Sequence, residues 1–174
     1  MRFLRSRRLP RRALLAVAFA CLPLGTGCLY GFAGGGLPPH VKTVAVLPFE
    51  NETTSSELPR ELQDAMRVAL QSRLGLRDAP EEKATALVRG RITRFEPDIP
   101  AGFSASSGQA TSARRRLRVQ LDIEIVDTVT GKTLWTKTNM SAEGEYADQG
   151  EALGRRQAIE RIVNDVIEGA QSQW

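Results

Sequence analysis

The 174-residue chain is poor in the residues that most chemistry requires. It has one histidine, His40, and two cysteines, Cys21 and Cys28, and only 6% of its residues are aromatic. His40 stands in a Pro-Pro-His run, far from any thiol or carboxylate at ligand spacing, so no metal site is expected. Gly34-Gly35-Gly36 runs into Leu-Pro-Pro, which cannot open a helix with free amide donors; a phosphate-cradling loop is excluded, and no cofactor is implied. Glu143, Glu145 and Asp148 gather carboxylates without a nucleophile, imidazole or metal partner, and read as a strand end and a helix cap. Glu50 and Glu52 read as turn residues. No set of side chains meets the demands of acid–base or nucleophilic catalysis, so no catalytic residue and no enzyme is expected.

What the N-terminus does contain is a leader. Six arginines lie within residues 2–12, followed by an apolar stretch over residues 13–24, the length of a secretory core and too short to span a bilayer. Gly25, Thr26 and Gly27 then precede Cys28. The arrangement resembles the lipobox of bacterial lipoproteins, in which the cysteine is acylated and becomes the first mature residue. Gly25 departs from it, since leucine is usual there and Leu24 stands one step back. Two alternatives remain: an ordinary signal peptide with an incidental cysteine, or lipidation at Cys21. Ser6-Arg7-Arg8 hints at a twin-arginine signal, but Pro10 occupies the place of a large apolar residue. Two or more acyl chains anchor a protein stably without a transmembrane helix. By the same resemblance Leu29, where an aspartate would retain the protein at the inner membrane, allows passage to the outer membrane, with the lipid-anchored chain on its periplasmic face.

Cleavage before Cys28 changes the charge. Loss of the six leader arginines leaves 18 basic against 20 acidic residues, so the mature net charge is −2 and the +4 of the full chain does not imply a nucleic-acid partner. No second thiol remains for a disulfide. Three segments are expected: a signal peptide over residues 1–27, a lipidated tether over 28–40 with Gly and Pro-Pro, and one domain over 41–174.

Within that domain residues 41–49, VKTVAVLPF, carry consecutive apolar side chains and read as a central strand. A polar loop follows, and then a helix over residues 57–74 with an apolar stripe at Leu58, Leu62, Ala65, Met66, Ala69, Leu70 and Leu74. Pro59 is tolerated in its first turn, and Gly75 stops it. A charged connection, DAPEEKA, leads to a strand over residues 85–96 that Pro97 and Pro100 end. Residues 98–113 read as a long loop rich in small polar residues. Strict alternation over residues 114–128 marks a half-buried strand, and a tight turn at Thr130-Gly131-Lys132, with Gly131 left-handed, leads to a strand over 133–145. A last helix is capped by Asp148 with Glu151, and its stripe is Ala152, Ile159, Ile162, Val163, Val166, Ile167 and Ala170; Gly169 weakens its final turn. The order β-α-β-β-β-α predicts an α+β fold: a four-stranded mixed sheet, the last three strands an antiparallel meander, with two helices packed on one face.

The pattern resembles the LptE family of lipopolysaccharide-assembly lipoproteins. Cys28 followed by Leu-Tyr-Gly-Phe is similar to that family's opening, though Leu29 stands where it often has Gly. Gly36-Leu37-Pro38-Pro39-His40-Val41-Lys42-Thr43-Val44-Ala45-Val46 resembles its first strand, Phe49-Glu50-Asn51-Glu52-Thr53 the turn after it, and Thr130-Gly131-Lys132-Thr133-Leu134-Trp135 its hairpin. The C-terminal helix after Gly144-Glu145-Tyr146 fits too. VAVLPFEN also opens other envelope lipoproteins, such as cell-wall-synthase activators and secretion-pore proteins, which is the alternative reading. The synthase-activator type calls for a long linker after the lipidated cysteine, and about a dozen residues are present here. The resemblance implies a non-catalytic partner of an outer-membrane β-barrel of the LptD type, acting on lipopolysaccharide.

Six arginines are the candidate contact residues: Arg89, Arg91, Arg114, Arg115, Arg116 and Arg118, on two strands expected to be neighbours. Arginine forks suit the phosphates of lipid A, or the barrel wall. The alternative is a solvated sheet face with cross-strand pairs to Asp122 and Glu124. Residues 98–113 either insert into the barrel lumen or form a plain hairpin tip, and Trp135 is either an interface aromatic or a core residue.

Overall fold

The computed structural model describes residues 37–100, 114–147 and 150–172. Cys28, the signal peptide, the first part of the tether, the segment 101–113 and the Asp148 cap lie outside the described residues.

The elements run in the expected order, with two additions. Strands β1 (Thr43–Val46) and β2 (Glu50–Asn51) precede helix α1 (Leu58–Leu74). Strand β3 (Arg77–Asp78) and a short 3-10 turn (Glu81–Lys83) follow, then β4 (Ala86–Pro100), β5 (Arg114–Asp127), β6 (Thr133–Ala147) and helix α2 (Glu151–Ser172). The fold is α+β with one mixed sheet in the order β3-β1-β4-β5-β6, while β2 also pairs with β4. Six strands replace the four expected, for two local reasons. Pro48 has no N–H to give a ladder, so the first strand breaks there. Both halves still lie parallel on β4, Val46 opposite Val88 and Glu50 opposite Arg91. The charged connection after α1 adds β3, two residues parallel to β1. Strands β4, β5 and β6 form the antiparallel meander.

Strand β4 runs through Pro97 instead of ending before it. The pairing with β5 shifts register between Glu96 and Ile99, and a bulge is where a strand tolerates a residue without an N–H. Tyr146 donates its hydroxyl to Pro97 O (2.6 Å) and holds this end of the strand. A second bulge at Thr93, between Ile92 and Arg94, moves the inward side chain from Ile92 to Phe95. A third lies in β6, where Asn139 takes φ 52° and donates its amide to Asp122 Oδ1 (2.8 Å).

The core lies between one face of the sheet and the two helices. Leu117, Val119, Leu121, Ile123 and Ile125 alternate inward from β5. The stripe of α1 meets them as its spacing requires, with Leu58, Leu62, Met66 and Leu70 fully buried. Gly75, at φ 67°, ends α1 and lets the Leu76 amide reach Leu70 O (3.3 Å). In α2 the stripe begins at Gly154 and Arg155; Ala152 is exposed, one position off the buried arc. Gly169 has a packing role beyond the propensity cost expected of it. A Cβ there would collide with the Trp135 indole, which is buried in the core. Gly144 and Gly154 likewise bring β6 and α2 into backbone contact.

Candidate functional site on the uncovered sheet face

The helices cover one face of the sheet, and strand alternation sends the polar residues of β4, β5 and β6 to the other. Arg89 lies opposite Glu124, Arg91 opposite Asp122, Glu96 opposite Arg118, and Arg118 opposite Glu143. The side chains complete these pairs. Arg89 Nε reaches Glu124 Oε1 at 2.6 Å. Arg91 lies 3.4 Å from both Asp122 and Glu52. Arg118 grips Glu143 Oε1 through Nε (2.9 Å) and a terminal nitrogen (2.6 Å), and its other nitrogen stands 3.5 Å from Glu96. Arg116 reaches Glu143 Oε2 at 3.1 Å, and Arg94 reaches Glu96 at 3.3 Å. The Arg118 hydrogen bond holds the Glu143 carboxyl below its usual range, against a smaller opposing effect of burial. The same bond raises Arg118 further above its ordinary value.

The six candidate arginines do come from neighbouring strands, but they do not form one patch. Arg89 and Arg91 sit opposite Glu124 and Asp122, whereas Arg114, Arg116 and Arg118 lie toward the other end of β5. The six residue steps from Arg118 to Glu124 span roughly 20 Å of strand. Arg115 shares the inward parity of Leu117, so it projects from the face that carries the helices and pairs with Asp98 (2.6 Å). Arg114 is exposed, its backbone opposite Ala147. Between β2 and β6 the face dips into an open trough of about 540 Å³, lined by Leu47, Pro48, Arg89, Arg91, Asp122 and Thr136 among others.

Other polar centres escaped the sequence. Arg155, 10% exposed in its side chain, ties the start of α2 to the start of α1. It reaches Glu61 Oε2 (2.7 Å), Glu57 Oε2 (2.6 Å) and Glu151 Oε1 (3.3 Å). The Glu61 bond raises its affinity for the proton, burial opposing. His40 Nε2 lies 2.7 Å from Asp127 Oδ2. Asp127 is buried at the β5–β6 turn and also accepts from the Val129 amide (2.8 Å) and the Thr130 hydroxyl (2.6 Å). Only the Asp-x-x-Thr spacing before Gly131 signalled such a turn. The distant partners, His40 of Asp127 and Glu57 and Glu61 of Arg155, could not be named without the fold. Among the described residues no group of His, Cys, Asp or Glu is placed to hold a metal ion, and no helix is long and apolar enough to cross a membrane.

With this architecture in view, the family comparison is decisive: the model of LptE, described as lipopolysaccharide-assembly, matches residues 41–169. The chain belongs to the LptE family. It is thus an envelope lipoprotein of lipopolysaccharide assembly, and the matching family is not a catalytic one. No curated protein matches the chain. Among solved structures it is similar to the PelC dodecamer from Paraburkholderia phytofirmans, at 15% identity over 80% of this chain and 96% of that one, with a TM-score of 0.50. A protein from Xanthomonas campestris is 12% identical over 76% of this chain and 87% of that one, also with a TM-score of 0.50. A lipoprotein from Neisseria meningitidis is 15% identical over 73% of this chain and 99% of that one, with a TM-score of 0.41. At such identities the first two likenesses speak for the fold alone.

Proposed function

We propose that this LptE-family chain is acylated at Cys28, held at the periplasmic face of the outer membrane, and partners and stabilises a β-barrel of the LptD type without catalysing a reaction. The family match over residues 41–169 carries the reading. The uncovered sheet face supports it physically. Its arginines Arg89, Arg91, Arg94, Arg116 and Arg118 are already paired, so they lose little by facing a wet, protein-lined wall, and their forks can exchange a carboxylate for a phosphate oxygen. In this reading Arg89, Arg91, Arg114, Arg116 and Arg118 meet lipopolysaccharide or the barrel wall from that face, and Arg115 meets it from the hairpin end. The domain over residues 41–174 is tethered to the bilayer by residues 28–40.

Affinity purification of the lipidated protein from membranes tests this. Recovery of a large outer-membrane barrel together with lipopolysaccharide is expected. Recovery of a cell-wall synthase or a secretion pore in its place would overturn the proposal. Mass spectrometry of the mature N-terminus, expected to show acylated Cys28, tests the anchor separately.

A further inference from the structure

The exposed cations near the sheet differ by region, while Arg60, Arg73, Arg156 and Arg161 on the helices and Arg114 at the start of β5 are exposed without an ion pair among the described residues. On the uncovered sheet face Arg89, Arg91, Arg94, Arg116 and Arg118 all stand within ion-pair distance of a carboxylate. At the end of the sheet where residues 37–40 join β1, the pattern reverses. Lys42, Arg77, Lys83 and Lys132 are exposed there, and none forms an ion pair among the described residues.

Backbone and hydroxyl hydrogen bonds gather these four cations, which come from four separate segments. The Arg77 amide donates to Lys42 O (3.0 Å), and the Lys42 amide donates to Thr85 Oγ1 (3.0 Å). Thr43 Oγ1 donates to Lys83 O (3.3 Å), Thr128 Oγ1 to Ala84 O (2.7 Å), and the Asp127 amide to Lys132 O (2.9 Å). The His40–Asp127 bond fixes the entering chain to the same cluster. Val129, 68% exposed, projects from the turn between Asp127 and Lys132. Of the carboxylates on these segments, Asp127 is buried under His40 and the exposed Asp78 faces Arg67 (3.4 Å). Glu81 and Glu82 are exposed too, so the four cations exceed the two acids left beside them.

We propose that this end of the domain rests on an anionic phospholipid surface, with Lys42, Arg77, Lys83 and Lys132 against headgroup phosphates and Val129 at the interface. The charge is of the right sign, it is not spent on internal pairs, and it surrounds the point where the chain arrives from its N-terminal side. Each basic residue held near an anionic bilayer strengthens binding about fivefold. The effect fades with salt, because the Debye length shortens. The lipid-anchor reading supplies the bilayer in the cell, but the surface itself is testable without the anchor.

The test is vesicle co-sedimentation of the mature chain carrying Cys28→Ser, which has no acyl group. Vesicles of phosphatidylcholine alone are compared with vesicles containing phosphatidylglycerol, at low and high salt. Salt-sensitive binding to the phosphatidylglycerol vesicles only is expected. Lys42→Gln with Lys132→Gln should weaken it by about 25-fold, whereas Arg60→Gln with Arg156→Gln, exposed on the two helices, should leave it unchanged. Circular dichroism verifies that each variant is folded. Equal binding to both vesicle types, no binding, or loss only in the Arg60/Arg156 variant would overturn the proposal. So would capture that requires lipopolysaccharide in the vesicle. Failure to find acyl groups on Cys28 in the cell would count against the anchor and leave this result standing.

Discussion

Arg155 and Glu61 join the two helices at their N-terminal ends, with Arg155 Nε 2.7 Å from Glu61 Oε2 and a second bond of 3.0 Å to Oε1. The geometry is a fork on a carboxylate, strengthened by Glu57 and Glu151. Both helices therefore run in the same direction over the sheet, and the pair sets their relative register. Removing one partner of a fully buried pair costs about 3–5 kcal/mol. Here the three carboxylates are 42–69% exposed and can rehydrate. Arg155→Met should therefore lose about 1–3 kcal/mol by urea unfolding, and Glu57→Gln less than about 1 kcal/mol. Arg155→Lys keeps the charge but not the fork, and should fall between them.

Gly169 offers a prediction in which two effects oppose each other. In an exposed helix position Gly→Ala stabilises by about 1 kcal/mol. At Gly169 the new Cβ would meet the Trp135 indole, and overpacking of this kind costs roughly 1–3 kcal/mol. The packing term wins, so Gly169→Ala should lower the unfolding midpoint. In a Trp135→Leu background the obstruction is gone, and the same substitution should become neutral or stabilising. A double-mutant cycle by thermal or urea unfolding reads the change of sign.

Asp127 links stability to acid. Burial alone would push its carboxyl up. The hydrogen bonds from the Thr130 hydroxyl, His40 and the Val129 and Thr130 amides outweigh burial and hold it far below the ordinary range. A carboxylate whose folded pKa lies below its unfolded value stabilises fully above the unfolded pKa of about 3.9, and that contribution is lost as pH falls below it. Wild-type stability should therefore fall steeply below about pH 4. Asp127→Asn should be less stable at neutral pH and show a flatter acid limb. Urea unfolding over a pH series measures both slopes. His40→Ala should cost only about 0.5–1.5 kcal/mol, as one hydrogen bond does.

What was legible in the sequence was whatever a single segment encodes by its own period. The unbroken alternation of β5 from Leu117 to Ile125, the α1 stripe and the left-handed Gly131 all appear where their patterns place them. The departures arise where a distant segment decides. Pro97 looked like a terminator, but a bulge against β5 and the Tyr146 hydroxyl carry the strand past it. Pro48 looked like part of a strand but splits it. The arginines were visible as a group, but the register that gives Arg89 to Glu124 and Arg118 to Glu143 depends on pairing between strands. Glu143 looked like a strand-end acid for the same reason. The short parallel pairing of β3 rests on two residues and has no period to detect.

The Arg118–Glu143 pair can separate a structural arginine from a phosphate-binding one. Arg118→Glu places two carboxylates together and should destabilise by about 1 kcal/mol, as a partly exposed pair does. The exchange Arg118→Glu with Glu143→Arg restores an opposite-charge pair across the same rungs of β5 and β6, so the unfolding midpoint should return part of the way toward wild type. The exchange also leaves the total charge unchanged while moving the guanidinium from β5 to β6, where it stands beside Arg116 in place of the carboxylate. If the outer-face arginines engage lipopolysaccharide phosphates as proposed, lipopolysaccharide binding should stay reduced in the exchanged protein although stability recovers. Recovery of both together would reduce Arg118 to a partner of Glu143 alone. Reversing Arg114, Arg115 and Arg116 to glutamate should lower lipopolysaccharide binding and barrel yield; leaving both unchanged would remove that end of β5 from the contact surface.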